Sequence, residues 1–247
     1  MSIRTQAFSA VRWTTAVTVG RVALQTVQLI VLARLISPQD FGLMAMILTV
    51  TAFIQLFADL GVSNSIIHAR EISREVLSTL YWLNVVIGAL LSGVIWAASP
   101  WIARFYGEPA LAAPLALAGL SFLLLAIGQQ IKVLAEKRLA FRPIAIVEMI
   151  AAVASTGAAV VAAYNGAGVY SLVIGVLVLA GGNSTLYLLF VRNGWWPGLH
   201  LRFSEAKPHL HAGLYLLGTS LANTATLQAD VILVGRLLGS TALGFYT

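Results

Sequence analysis

Seven stretches of about 20 mostly apolar residues take up most of this chain, and about 20 is the number a helix needs to cross a hydrocarbon core. They cover residues 14–36, 41–60, 80–98, 111–131, 144–164, 169–191 and 211–238. The connectors between them are short, and none is long enough to hold a soluble domain. Soluble domains carry about 25% charged residues. Here 10% of 247 residues are charged and 59% are hydrophobic. Too little polar side chain is left to cover a water-exposed surface, so the fold class is an all-α polytopic membrane protein. The first run is longer than the roughly 7–15 residues of a signal-peptide core and ends in no clean small-residue cleavage site, so it reads as a retained span.

The charge that remains is sorted by side. With connectors assigned alternately, one side receives Arg4, Arg12, Arg70, Arg74, Lys132, Lys137, Arg138, Arg142, Arg192, Arg202 and Lys207, and the other receives Arg34, Arg104 and Arg236. Positively charged connectors stay in the cytoplasm, which places the N-terminus there. This topogenic role accounts for most of the net charge of +6, so no nucleic-acid partner is needed, and anionic lipid headgroups are the default neighbours. On the opposite side, "SPQD" carries a helix-start signature: Ser37 at the N-cap, Pro38 at the first helical position and Asp40 two residues later. "NGAG" (165–168) is a second outer turn, and "SPWIARFYGEP" (99–109) reads as the longest outer connector.

The sequence repeats itself. "LARLISPQDFG" (32–42) returns 202 residues later as "VGRLLGSTALG" (234–244), with Arg34, Leu35 and Gly42 matched by Arg236, Leu237 and Gly244. Six crossings lie between the copies, so both face the same way, as in transporters built from two tandem parallel halves. The same offset carries a polar stripe. Thr14, Thr18, Arg21, Gln25 and Gln28 are spaced four, three, four and three, which sets them on one helical face. Thr18, Arg21 and Gln28 correspond to Ser220, Asn223 and Asp230, while Thr14 and Gln25 correspond to leucines. The chain therefore reads as a six-helix lobe over 1–191, a cytoplasmic connector over 192–210, and the first helix of an incomplete second lobe over 211–247. On this reading the chain is a truncated piece of a protein of about twelve spans.

A charge at mid-membrane costs about 2.5–3.5 kcal/mol on insertion scales. Arg21 lies roughly 10 Å in from the cytoplasmic end at 1.5 Å per residue. The stripe with its second-half counterparts is thus a candidate cavity lining, in which Arg21 attracts an anionic group; the alternative is polar interhelical packing. Asp230 is a candidate proton or sodium site, or a salt-bridge partner. Arg34 and Arg236 are candidate outer-gate residues, although a cation snorkelling at a helix C-terminus explains each singly. Glu148 reads as interfacial, and "GGNST" (181–185) as a close-packing or hinge point in the sixth span. No cysteine is present, which excludes disulfides and thiol chemistry. There is no H-E-x-x-H or P-loop, and His200, His209 and His211 form at most a weak metal signal. The expectation is a transporter and not an enzyme, with no cofactor or metal and the coupling ion, proton or sodium, left open.

"VLARLISPQDFGLMAM", "FADLGVSNSIIHAREIS", "LSTLYWLNVVIG" and "SPWIARFYGEPALA" together resemble the opening of bacterial polysaccharide flippases. These are the O-antigen and exopolysaccharide exporters of the MATE-like superfamily, and the likeness is nearest to the colanic-acid and amylovoran exporter branch. "NTATLQADVILVGRLLGSTALGFYT" resembles the start of that family's second lobe. The resemblance implies two six-helix bundles in the bacterial inner membrane around a cationic cavity. It also implies movement of undecaprenyl-diphosphate-linked oligosaccharide to the periplasmic leaflet by alternating access, with Arg21 a candidate diphosphate contact. Other polysaccharide assembly proteins would be its partners. The competing reading is a cation-coupled small-molecule or drug antiporter on the same scaffold. A membrane-embedded glycan polymerase or ligase would need a larger outer loop than any present.

Overall fold

The computed structural model describes residues 3–58, 66, 73–198 and 203–246; the side chains of 3–14, 16, 203–217 and 219 fall outside the description. All regular structure among the described residues is helical. The helices are α1 (Ile3–Leu35), α2 (Pro38–Gln55), α3 (Arg74–Tyr106), α4 (Ala112–Lys137), α5 (Phe141–Tyr164), α6 (Val169–Leu186) and α7 (Phe203–Tyr246). Six described segments are long and apolar enough to cross a membrane: Val17–Leu35, Arg74–Tyr106, Pro109–Lys137, Phe141–Tyr164, Val169–Val191 and Ser220–Tyr246. The chain is a multi-pass membrane protein. The expected second span is helical over Pro38–Gln55 but is not among the six. Its first turn carries Gln39 and Asp40, and the expected continuation enters residues outside the description from 59.

The helices pack in an arc that does not follow chain order: α3 lies on α4, α4 on α6, α6 on α5, and α5 on α1, while α2 packs along α7. Lipid tails are as apolar as leucine, so burial does not drive these contacts; close approach and interhelical hydrogen bonds do. The crossings show both. A Cβ on Gly88 would stand 2.7 Å from the Ala126 methyl, and one on Gly119 2.9 Å from Ile95. Beside them Ser92 donates to the Gly119 carbonyl at 2.8 Å, and Ser155 on α5 donates to Gly175 on α6 at 2.7 Å. Gln130 donates to the Leu77 carbonyl at 2.6 Å. The "GGNST" segment continues α6 without a hinge: Gly182 faces Ala151, and Ser184 donates to the Leu124 carbonyl.

The outer connector expected over 99–109 is largely helix. α3 runs through Pro100 to Tyr106 and ends at Gly107 in the left-handed region, φ 72°. Pro100 has no N–H to offer the Trp96 carbonyl one turn back. The Ser99 hydroxyl donates to that carbonyl instead, at 3.0 Å, as serine commonly does for prolines in membrane helices.

Two ends of the bundle can be told apart. At the basic end α4 meets α5 and α6 leads towards α7. At the hairpin end α1 turns into α2. There Ser37 forms the expected cap, its Oγ accepting from the Asp40 N–H while Asp40 accepts from Ser37. Asp40 does more than the sequence suggested. Its Oδ1 also accepts from the Val169 N–H at 2.9 Å, capping α6, whose own N-cap Gly168 has no side chain to offer.

The second copy of the repeat turns at the matching place. α7 is broken at Gly239 (φ 81°, ψ 179°), the position equivalent to Ser37. A glycine there cannot cap, and Glu108, in the α3–α4 connector, does so in its place. Its Oε1 accepts from the Ser240 N–H at 2.8 Å and the Ser240 hydroxyl at 2.6 Å. The two hairpins then interlock. A Cβ on Gly42 would lie 1.7 Å from the Ser240 carbonyl oxygen, and a Cβ on Gly244 would lie 1.7 Å from the Pro38 carbonyl oxygen. The repeat offset maps Gly42 onto Gly244 and Pro38 onto Ser240, so the contact is reciprocal. Reciprocity of this kind marks a local two-fold axis between like elements.

Gly42→Ala and Gly244→Ala should each destabilise the protein, at or above the upper end of the ~1–3 kcal/mol typical of overpacking. The two costs should be similar and less than additive when combined, because either methyl already separates the backbones. Thermal unfolding in detergent micelles checks this, and an unshifted midpoint would contradict the interlock.

Candidate functional site

Within the arc the helices leave an open groove. Its part towards the basic end is a cavity of about 470 Å³, walled by Arg21 of α1, Thr51 and Gln55 of α2, Gln129 and Lys132 of α4, Glu148 of α5, and Asn183 and Tyr187 of α6, with apolar residues between. Its part towards the hairpin end is a cavity of about 640 Å³ lined by Gln25 and Gln28 of α1, Met44 and Ala45 of α2, Leu172 and Gly175 of α6, and others. Leu48, Val176 and Leu179 line both, so the two adjoin along the same groove. Gly244 and Phe41 stand at its far end, beside the interlocked hairpins.

Charge in the groove converges on one carboxylate. Glu148 sits two turns into α5, and its side chain is only 13% exposed. Its Oε2 accepts from Arg21 Nη1 at 3.3 Å. Its Oε1 accepts from Lys132 Nζ at 2.8 Å and from the Tyr187 hydroxyl at 3.0 Å. Lys132 also lies 3.9 Å from Glu136, one turn further along α4. Donors from α1, α4 and α6 therefore meet on an acceptor from α5. Tyr187 stands where the α-helical part of α6 ends, at the start of a π-helical turn over Tyr187–Val191. Such turns re-aim side chains and are common at functional sites. Around the knot lies an apolar cluster including Leu77, Leu80, Tyr81, Ile131 and Val147, which keeps water from its protein side and strengthens the charge pairing.

The structure distributes the expected site residues unevenly. Arg21 faces the first cavity, and Gln25 and Gln28 line the second. Gln28 also accepts from the Thr156 hydroxyl at 3.0 Å, tying α1 to α5. Cavity lining and interhelical packing thus coexist on one stripe. Thr18 is exposed on the same helix, and the side chain of Thr14 lies outside the described residues. Ser220 is half-buried, while Asn223 and Asp230 are exposed. None of these three lines either cavity; Asp230 accepts from the Tyr246 hydroxyl at 2.8 Å. Arg34 is exposed, and Arg236 is exposed with its guanidinium 5.5 Å from the Phe105 ring centre. His200, His209, His211 and Asp59 fall outside the described side chains.

Glu148, Lys132 and Tyr187 were missed by reasoning from sequence. Lys132 was counted with the topogenic charges and Glu148 with the interface. One signal was available. An acid inside an apolar helix demands a cation at the same depth, and Arg21 and Lys132 lie at that depth on two other helices.

The class defined by this architecture is a multi-pass all-α membrane protein with a charged groove between its helices. The family follows from comparison. A profile of the polysaccharide biosynthesis protein family matches residues 31–247, and the chain belongs to that family. It is 32% identical over 246 residues to the lipopolysaccharide biosynthesis protein WzxC of Escherichia coli (strain K12), covering 100% of this chain and 50% of that one. It is 32% identical over 245 residues to the teichuronic acid biosynthesis protein TuaB of Bacillus subtilis (strain 168), covering 99% of this chain and 51% of that one. It is 25% identical over 237 residues to the succinoglycan biosynthesis transport protein ExoT of Rhizobium meliloti (strain 1021), covering 96% and 48%. The chain spans about half the length of these relatives. No solved structure matches it.

Glu148→Ala should destabilise the protein by about 1–3 kcal/mol, because it leaves Arg21 and Lys132 without their shared counter-charge. That is less than the ~3–5 kcal/mol of a fully buried pair, since both cations are about one-third exposed. Adding Arg21→Ala should recover part of the loss. Thermal unfolding of both variants in detergent measures it, and a fully stable Glu148→Ala protein would count against the knot.

Proposed function

We propose that the protein exports lipid-linked oligosaccharide for surface polysaccharide assembly. It flips undecaprenyl-diphosphate-linked repeat units from the cytoplasmic to the periplasmic leaflet of the bacterial inner membrane by alternating access. The observation that carries this reading is a groove with cations at its basic end and interlocked backbones at its hairpin end. Such a groove is built to take in an anionic headgroup from one side while closed to the other. Family membership supports the reading, as do relatives named for lipopolysaccharide, teichuronic acid and succinoglycan biosynthesis.

In this proposal residues 1–191 form one lobe and 211–247 open a second. The N-terminus is cytoplasmic, the hairpin end faces the periplasm, and other polysaccharide assembly proteins receive the product. The protein acts as a transporter and not as an enzyme, and needs no cofactor. A cation-coupled antiporter is the weaker alternative. Glu148 is the acid such a mechanism would want in the groove, but two cations already neutralise it, which disfavours a sodium site there.

Deleting the gene should trap lipid-linked repeat units on the cytoplasmic leaflet. Arg21→Ala should lower export severalfold at unchanged protein level. Normal surface glycan in the deletion strain would sink the proposal. Orientation has its own test, since the chain has no cysteine. Thr51→Cys, facing the basic-end cavity, should react with a membrane-impermeant maleimide in inside-out vesicles and not in intact spheroplasts.

A further inference from the structure

Three donors from three helices meet on one carboxylate, and that carboxylate borders an open cavity. Arg21 binds Oε2 of Glu148, while Lys132 and Tyr187 both bind Oε1. A phosphate group offers the same thing to the same donors: two or three anionic oxygens a short distance apart, each able to accept from a guanidinium, an ammonium or a phenol. The cavity beside the knot is about 470 Å³, which is ample for a diphosphate.

We infer that Glu148 is a resident counter-anion that holds the diphosphate site in the absence of substrate and is displaced when substrate arrives. The inference rests on the proposed export of a diphosphate-linked lipid and assigns a role to a residue that reading does not use. The exchange is one ion pair for another: Arg21 and Lys132 release a carboxylate and accept a phosphate oxygen, and no bond or proton changes hands. Glu148 stays on α5, turned towards the cavity or the protein.

The physical need for such a group is release. A transporter that met a diphosphate with two bare cations and no competing anion would hold it too tightly to let it go. A carboxylate tethered at the site competes with the ligand at every moment, lowers its affinity and closes the site behind it. It also removes the cost of two unpaired cations in the empty groove. Glu136, 3.9 Å from Lys132 and on the same helix, remains with Lys132 throughout and holds part of its charge. It does not bridge to Arg21, so it cannot substitute for Glu148.

The test uses inorganic pyrophosphate as the probe and the protein purified in nanodiscs, with binding measured by calorimetry. Glu148→Gln keeps the shape and a hydrogen-bond acceptor but removes the competing charge. It should bind pyrophosphate at least about tenfold more tightly than the native protein, and adding Lys132→Gln should abolish the gain. Equal or weaker binding by a folded Glu148→Gln protein overturns the proposal. Should that variant fail to fold, Glu148→Asp keeps the charge on a side chain one methylene shorter, which reaches both cations poorly. It should show a smaller gain, and no gain overturns the proposal. Glu136→Gln controls for general electrostatics: a gain as large as that of Glu148→Gln would mean that any lost acid suffices, and would sink the exchange.

Undecaprenyl diphosphate placed in the nanodisc should displace bound pyrophosphate, since both compete for one site; failure to displace it also overturns the proposal. The two readings fail separately. Normal export in the deletion strain would refute the function while the pyrophosphate affinities stood. Trapped lipid-linked units with no affinity gain in Glu148→Gln would refute the exchange and leave the function intact.

Discussion

Apolar side chains gain nothing by turning inward from a hydrocarbon solvent, and the rest of this structure follows from that constraint. Helices in lipid must be held by close backbone approach and by hydrogen bonds between polar groups that have no water to turn to. The chain supplies both at the same places. Gly88, Gly119 and Gly175 admit their neighbours, and Asn84, Ser92 and Ser155 donate to carbonyls across the same crossings. The large apolar residues that a soluble protein would bury are left outside. Val86, Leu90 and Val94 on α3, and Val19, Val22 and Val27 on α1, are all more than half exposed.

The same constraint explains why so few charged groups define the groove. An unpaired charge at this depth is costly, so each one is answered from another helix. Glu148 is the centre of that arrangement because it accepts from α1, α4 and α6 at once. At the other end carboxylates do a different job. Asp40 caps both α2 and α6, and Glu108 caps the turn at Ser240. Backbone N–H groups at helix starts carry partial positive charge, so three acids at three places all neutralise something positive. At the basic end the partners are side chains, which a ligand's oxygens can claim. At the hairpin end they are backbone, which holds the turns in place.

Much of the architecture was legible in the sequence. The apolar runs gave the helices, and the Ser37–Asp40 pattern gave the first hairpin with its cap in the right place. The repeat between 32–42 and 234–244 marked the two segments that interlock, although nothing in the letters said that they touch. The expected 99–109 connector is largely helix, although proline is ordinarily a stop signal. Whether it stops a helix depends on whether a neighbour satisfies the carbonyl it orphans, and Ser99 does so here. Among site residues the Thr14–Gln28 stripe was visible as a period, and Arg21, Gln25 and Gln28 do face the groove. Its counterpart, Ser220, Asn223 and Asp230, matches in register but does not line the described cavities, because register along a helix does not fix which way the helix is turned.

The sequence by itself determined that this chain crosses a membrane repeatedly as helices, which end of the bundle is basic, and where one hairpin is repeated. These are properties of runs, periods and local caps, and they need no knowledge of what lies next to what. Only the tertiary structure decided that Arg21, Lys132, Glu148 and Tyr187 form one cluster, since they come from four helices and are separated by up to 166 positions. It also decided that Gly42 and Gly244 are pressed backbone to backbone. The physical reason is the same in both cases. Local patterns fix a helix and its faces, but the partner of a buried charge or of a bare glycine is chosen by packing between helices, and that is not written in any one of them.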